Sequence, residues 1–187
     1  TCQLWGPKDL DGSEYYFYFD DVKPGDYGTN LISLHVDDND AYACLIPHDF
    51  DDQDNTVVDP ELQLSDTGPV GELSDYLEFF LWEDNGDGAY QTSEPVLAGP
   101  GTTIDQIQTE ILALELTGGG PTEYVGLAWC AGTQGLDDSD ILCDGAGMGD
   151  IAQTDSLIAS LTAYVEQQRN NSEFDCGPSL ALSKPVH

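Results

Sequence analysis

Ser156-Leu157-Ile158-Ala159-Ser160-Leu161-Thr162-Ala163-Tyr164-Val165 is the stretch that decides the fold class. Leu157, Ala159, Leu161, Ala163 and Val165 stand at every second position, and most of the residues between them are polar. Successive side chains of a strand point to opposite faces of a sheet, so a period of two marks a strand with one face on a core. The same period recurs along the chain. Tyr15 to Phe19 alternates aromatics, and Asn30 to Val36 sets Ile32, Leu34 and Val36 against Leu31, Ser33 and His35. Leu77, Phe79 and Leu81 alternate with Glu78, Phe80 and Trp82, Glu110 to Leu116 sets Ile111 and Ala113 against Leu112, Leu114 and Leu116, and Tyr124 to Cys130 sets Val125, Leu127 and Trp129 against Tyr124, Gly126 and Ala128. Helical signal is confined to a turn over Leu73 to Tyr76 and another over Thr103 to Thr109. Pro24-Gly25-Asp26, Gly118-Gly119-Gly120-Pro121 and Gly145 to Gly149 supply turns between strands. The expected fold is all-β, a jelly-roll-like antiparallel β-sandwich with long acidic loops. One domain is expected over residues 1–176, with 177–187 a tail in which Leu180, Leu182 and Val186 again fall at even positions.

Thirty-six Asp and Glu face only Lys8, Lys23, Lys184 and Arg169, a formal net charge of −32 over 187 residues. With 40% hydrophobic residues, nine Tyr and six Phe, the chain nonetheless carries enough apolar surface to fold. It offers no cationic surface to phosphate, so nucleic acid and anionic lipid are poor partners, and no apolar run approaches the ~20 residues of a membrane span. Such a field needs counterions, either divalent metals at specific sites or high salt. Both point outside the cell, although a salt-adapted cytosolic protein would show the same acidity.

The cysteines favour the outside. Cys2, Cys44, Cys130, Cys143 and Cys176 are spread along the chain without zinc-type spacing, as in disulfides of an oxidising compartment. The expected state is a mature secreted product whose signal peptide has been removed. Cys130 ends a strand and Cys143 follows a short acidic loop, so these two are expected to pair. Cys2 with Cys176 would then tie the ends together, leaving Cys44 for a partner in a segment outside this chain.

Glu83-Asp84-Asn85-Gly86-Asp87-Gly88-Ala89-Tyr90-Gln91-Thr92-Ser93-Glu94 carries the clearest chemistry. It matches the calcium loop of an EF-hand, with Glu83, Asn85 and Asp87 at positions 1, 3 and 5, Gly88 at the sharp turn, and Glu94 at position 12. Ca²⁺ takes about 6–8 oxygens, and the expected set is Glu83, Asn85, Asp87, the carbonyl of Ala89, Gln91 or a water, and Glu94 bidentately. A strand before the loop and Pro95 after it replace the EF-hand helices. Two other acidic runs, Asp37-Asp38-Asn39-Asp40 and Asp49, Asp51, Asp52, Asp54, have neither the glycine nor the terminal glutamate, and are read as solvated loops, either of which could hold a second ion. His35, His48 and His187 form no metal or triad motif, and no nucleophile or nucleotide fingerprint is present, so no enzymatic activity is expected.

Asp21-Val22-Lys23-Pro24-Gly25-Asp26-Tyr27-Gly28, followed by the strand Leu31 to Val36, resembles the turn and strand of the TasA/camelysin family of secreted biofilm-matrix fibre proteins. Asn55-Thr56 with Pro60-Glu61, Gly71-Glu72-Leu73, the acidic loop running into Glu94-Pro95-Val96-Leu97, Tyr124 to Cys130 and Ala152 to Ser156 follow in the order of its archaeal and uncultured-bacterial members. The similarity spans Leu4 to Cys176. It implies a jelly-roll subunit that joins copies of itself into a head-to-tail polymer, each lending a strand to its neighbour, at the cell surface or in the extracellular matrix. Relatives open with a Ser/Asp/Thr-rich first strand that is not found at Thr1-Cys2, so a preceding segment is the expected donor and the tail the second choice. The family's peptidase label has no zinc-binding constellation here to attach to. A calcium-dependent adhesin or carbohydrate-binding module, which would expose aromatics such as Tyr15, Tyr16 and Tyr18, is the alternative, and a secreted hydrolase a weaker one.

Overall fold

The computed structural model describes residues 8–9, 15–66, 68–107 and 112–176. The strands are β1 (Phe17–Asp20), β2 (Tyr27–Leu34), β3 (Ala41–Gln53), β4 (Leu77–Asp84), β5 (Val96–Thr103), β6 (Leu112–Leu116), β7 (Glu123–Ala131), β8 (Thr133–Asp137), β9 (Asp140–Asp144) and β10 (Ser156–Gln167). Two short helices, α1 (Asp59–Gln63) and α2 (Ile104–Ile107), and 3-10 turns over Leu73–Tyr76, Gly145–Gly147 and Asp150–Ala152 lie in the connections. Two four-stranded antiparallel sheets run β1-β10-β3-β6 and β2-β7-β4-β5, and β8 with β9 forms a separate hairpin. The chain changes sheet at every connection except β4 to β5 and the hairpin, which is the path of a jelly roll. Of the expected helical turn over 103–109 the helix occupies Ile104–Ile107. Residues 108–111 and the whole of 177–187 lie outside the described residues.

Alternation places the core as the sequence requires. Phe17, Phe19, Ile32, Phe79, Leu81, Leu127, Trp129 and Leu157 are buried between the sheets, with Leu34 and Val36 packed against them. β4 departs from this pattern, because its other face is buried too. Phe80 and Trp82 form a second apolar cluster with Ala128, covered by Tyr90, Leu136 and Ile141. The segment between Cys130 and Cys143, read from sequence as an acidic loop, is the β8–β9 hairpin that folds back over this outer face. Trp82 pairs with Gly126 on β7, and any Cβ at 126 would run into the indole, so the ring lies flat only because the partner is glycine.

The acidic run from Asp49 to Asp54 corrects the expectation of a solvated loop. β3 continues through it to Gln53, pairing Asp52 with Leu157 and Asp51 with Ile158 of β10. A register shift lies between Ile158 and Ser160 of β10, and Asp49 stands opposite it at φ 54°. Pairing with a long apolar neighbour overrides the low strand propensity of aspartate.

Two disulfides tie the sandwich. Cys130–Cys143 joins β7 to β9 as expected, with an S–S distance of 2.04 Å. Cys176 bonds Cys44 of β3, not Cys2, which corrects the expected pairing of the two ends. The reason lies in β3: Cys44 and Ile46 sit on the outer face of the sheet, where Phe174 stacks on Tyr42 and Tyr164 and brings the chain after β10 back across them. Cys2 lies outside the described residues.

Among the described residues β10 outruns its partner β1. β1 pairs only with Ser156–Ala159, while β10 runs on to Gln167. Among the described residues no strand pairs with the far side of Ser160–Gln167. Burial follows: Leu157 is 1% exposed, but Val165, on the same face, is 45% exposed. Across the pair its β3 partner Ala43 is fully buried.

Candidate metal centres

β4 delivers its last residue, Asp84, into the 84–94 loop on the same face as Trp82, and the indole Nε1 donates to Asp84 Oδ2 at 2.9 Å. Asp84 Oδ1 accepts from the N–H groups of Gly86 at 2.6 Å and Gly88 at 3.1 Å, which folds the chain into a tight arc. Both glycines adopt positive φ, 103° and 74°, a region other residues enter at a cost. Asn85 Oδ1 accepts from Asp87 N–H at 3.2 Å, and Asp87 Oδ1 accepts from Ala89 N–H at 2.9 Å. The Gln91 amide reaches Asn85, Asp87 and the Ala89 carbonyl. Glu94 closes the arc by accepting from Asn85 N–H at 2.9 Å and Gln91 N–H at 2.8 Å. The Ala89 N–H and the Gln91 amide hold the Asp87 carboxyl below the usual aspartate range.

Of the residues expected to bind calcium, Asn85, Asp87, Ala89 and Gln91 therefore converge, and Glu94 braces them from the far end. Glu83 is exposed on β4, on the face opposite Asp84. The carboxylates of Glu83, Asp87 and Glu94 do not form a group whose oxygens lie within 4.8 Å of one another; among the described residues only Asp54, Glu61 and Asp155 do.

That second group lies at the end of the sandwich where β3 leaves and β10 begins. Asp52 and Asp54 come from the end of β3, Glu61 from α1, Asp66 from the turn after it, Glu72 from just before the Leu73–Tyr76 turn, and Asp155 from just before β10. Five of them have one oxygen held by a backbone N–H. Ser74 donates to Asp52 Oδ2 at 2.7 Å, Thr56 to Asp54 Oδ1 at 2.9 Å, Val58 to Glu61 Oε2 at 2.5 Å, Gly68 to Asp66 Oδ1 at 3.1 Å and Glu72 to Asp155 Oδ2 at 2.6 Å. The opposite oxygen of each, together with Glu72 Oε2, is buried without a hydrogen-bond partner. Glu61 is 0% exposed and Asp155 1%.

The local fold holds these groups firmly. Asn55 Nδ2 donates to the Thr154 carbonyl at 2.9 Å and to Ser156 Oγ at 3.0 Å, and Thr154 Oγ1 donates to the Thr56 carbonyl at 2.6 Å. Thr154 itself is at φ 75°, an uncommon conformation for a β-branched residue and one that sets the direction of Asp155. Desolvation, then the charges of Asp66, Asp155, Asp52 and Asp54, push the Glu72 carboxyl up to about 7. Desolvation likewise raises Asp155 to about 6, against the pull of the Glu72 N–H. A buried acidic triad of this kind could hold a metal ion. Sequence reasoning met Asp52 and Asp54 as part of an acidic run, but Glu61, Asp66, Glu72 and Asp155 carry no spacing that announces them.

No protein-family model, curated protein or solved structure matches the chain.

Proposed function

We propose that the chain is a structural subunit of an extracellular filament, pilus-like or part of a biofilm matrix, stabilised by calcium and joined head to tail by strand donation. The observation that carries this reading is the short reach of β1 along β10 among the described residues. Among the described residues no strand lies on the β1 side of β10 beyond Ala159, and in the lane this leaves Ala163 and Val165 are exposed on the core-facing side. A strand entering that lane satisfies the main-chain donors and acceptors and buries those side chains. When the strand is a terminal segment of a neighbouring copy, each subunit both gives and receives, and the contacts propagate as an open fibre. The two disulfides belong to an oxidising environment, which fits export of the subunit to the cell surface or matrix.

Electron microscopy of the purified chain in calcium is the test. Filaments are expected from the wild type, and monodisperse particles from Val165→Lys, which places a charge in the lane at a site already 45% exposed. Deleting 178–187 distinguishes the tail from any other donor. Filaments that survive Val165→Lys would overturn the lane as the acceptor. An adhesive or carbohydrate-binding module is the second reading, favoured by Tyr18 and Tyr27, which are 67% and 69% exposed and flank a surface cleft lined by Val22 and Trp129. Wild-type particles that stay monodisperse and bind a glycan surface would support it.

A further inference from the structure

We propose that Asp54, Glu61 and Asp155, ringed by Asp52, Asp66 and Glu72, form a buried Ca²⁺ site separate from the 84–94 loop, which fastens the 54–76 excursion to the start of β10. This site rests on its own geometry and holds whether or not the chain polymerises.

A cluster of acids on a surface is ordinary, but this one is not on the surface. Glu61 and Asp155 are essentially inaccessible, and Glu61 Oε1 and Asp155 Oδ1 point into the group with no donor to meet them. Burying a carboxylate with no opposite charge to meet it costs several kcal/mol even after relaxation, and one backbone N–H offsets only part of that. Three such groups within reach of one another compound the cost, since each raises the field felt by the others. The charges acting on Glu72 and Asp155 are all carboxylates. A cation at the centre turns this repulsion into attraction.

The donor chemistry selects the cation. The triad's oxygens lie close enough together to share one ion. The donor set is entirely carboxylate, with neither imidazole nor thiolate, which suits a hard ion and not zinc or copper. Several protein carboxylates arriving from separate loops make an irregular, oxygen-rich cage, which Ca²⁺ accepts. Mg²⁺ prefers a strict octahedron and keeps several of its waters. Backbone N–H groups fix one oxygen of each ligand and so aim the other before any ion arrives.

The site spans segments far apart in the chain. Between β3 and β4 the backbone leaves the sandwich for α1 and the Leu73–Tyr76 turn, and Gly71 and Ser74 near its far end bond back to Asp52 of β3. An ion shared by Asp54, Glu61 and Asp155 ties the first part of that excursion, through α1, to the start of β10.

The test uses the whole chain, decalcified and reloaded, with bound calcium counted by elemental analysis and melting followed with and without EDTA. Asp87→Asn with Glu94→Gln, which disables the loop, should retain one tightly bound Ca²⁺, whereas Asp155→Asn or Glu61→Gln should lose it. Melting gives an independent signature. In EDTA the Asp155→Asn and Glu61→Gln chains should melt at or above the wild type, because a repelling charge is gone. In Ca²⁺ they should melt below it, losing a rise of roughly 5–10 °C at a hundredfold excess over the dissociation constant. Variants that melt above the wild type in both conditions, or a loop variant that binds no calcium, would overturn the site. An equal rise with Mg²⁺ would overturn the choice of ion. If both triad variants fail to fold, the calcium count of the loop variant still decides.

Discussion

Asp155 and Glu72 are where sequence, burial and chemistry meet most directly. Each is an ordinary carboxylate that folding moves out of water and into the company of its own kind, so its neutral form gains. The Glu72 carboxyl rises from 4.5 to about 7 and that of Asp155 from 3.8 to about 6. Both folded-state values lie above the unfolded ones, so the folded chain binds more protons, and stability falls as pH rises. The contribution is complete below about pH 4 and lost as pH climbs through about 6 and 7. The melting temperature of the chelated chain is therefore expected to fall between about pH 4 and pH 8, and Glu72→Gln should flatten the slope. Scanning calorimetry in EDTA across that range checks it; a melting temperature that climbs with pH would show that other groups dominate. In the 84–94 loop, Asp84 braces the arc through the N–H groups of Gly86 and Gly88, while its neighbour Glu83 stands on the opposite face. A strand sends adjacent side chains to opposite faces, and Asp84 is the one that shares a face with Trp82.

Among the elements, the two disulfides divide the work unequally. Cys130–Cys143 spans a sequence separation of 13 and pins the β8–β9 hairpin that covers Phe80 and Trp82. Cys44–Cys176 spans 132 and holds the end of the described chain on the outer face of β3. Chain entropy gives roughly 3 kcal/mol for a short closed loop and nearly 5 for one above a hundred residues. Replacing both cysteines of the short pair with alanine should therefore cost about 3 kcal/mol, and replacing both of the long pair closer to 5. Urea unfolding of the two double variants tests the order, and a costlier short pair would assign the difference to the packing under the hairpin. The β1–β10 pairing has the same unequal character. Four residues of β1 meet a twelve-residue β10, and this mismatch among the described residues is what the filament proposal starts from.

At the scale of the whole molecule the formal charge of −32 dominates. Lys23 bonds its neighbour Asp21 at 3.1 Å, an exposed pair of small effect. Most carboxylates therefore repel one another through solvent, over a Debye length of about 10 Å at 0.1 M salt and about 3 Å at 1 M. The melting temperature in EDTA should rise steadily with sodium chloride across that range. The added rise from calcium should persist at the high end, because a buried ion is screened far less than the surface. A salt-independent melting temperature in EDTA would contradict the surface reading.

What the sequence determined by itself is what a one-dimensional pattern can hold. Period-two alternation from Phe17 to Val165 fixes strands and their core faces, the Asn85 to Glu94 spacing gathers a polar arc, and the short interval from Cys130 to Cys143 makes their bridge. These signals are local, because alternation and turn chemistry act over a few residues. Only the tertiary structure decided that the acidic run to Gln53 is a strand, that the span after Cys130 is a hairpin lid, and that Cys176 meets Cys44. It alone brings together Asp54, Glu61 and Asp155. Whether an aspartate is a solvated surface group or a buried ligand depends on what packs over it, and here the covering segments arrive from more than ninety residues away.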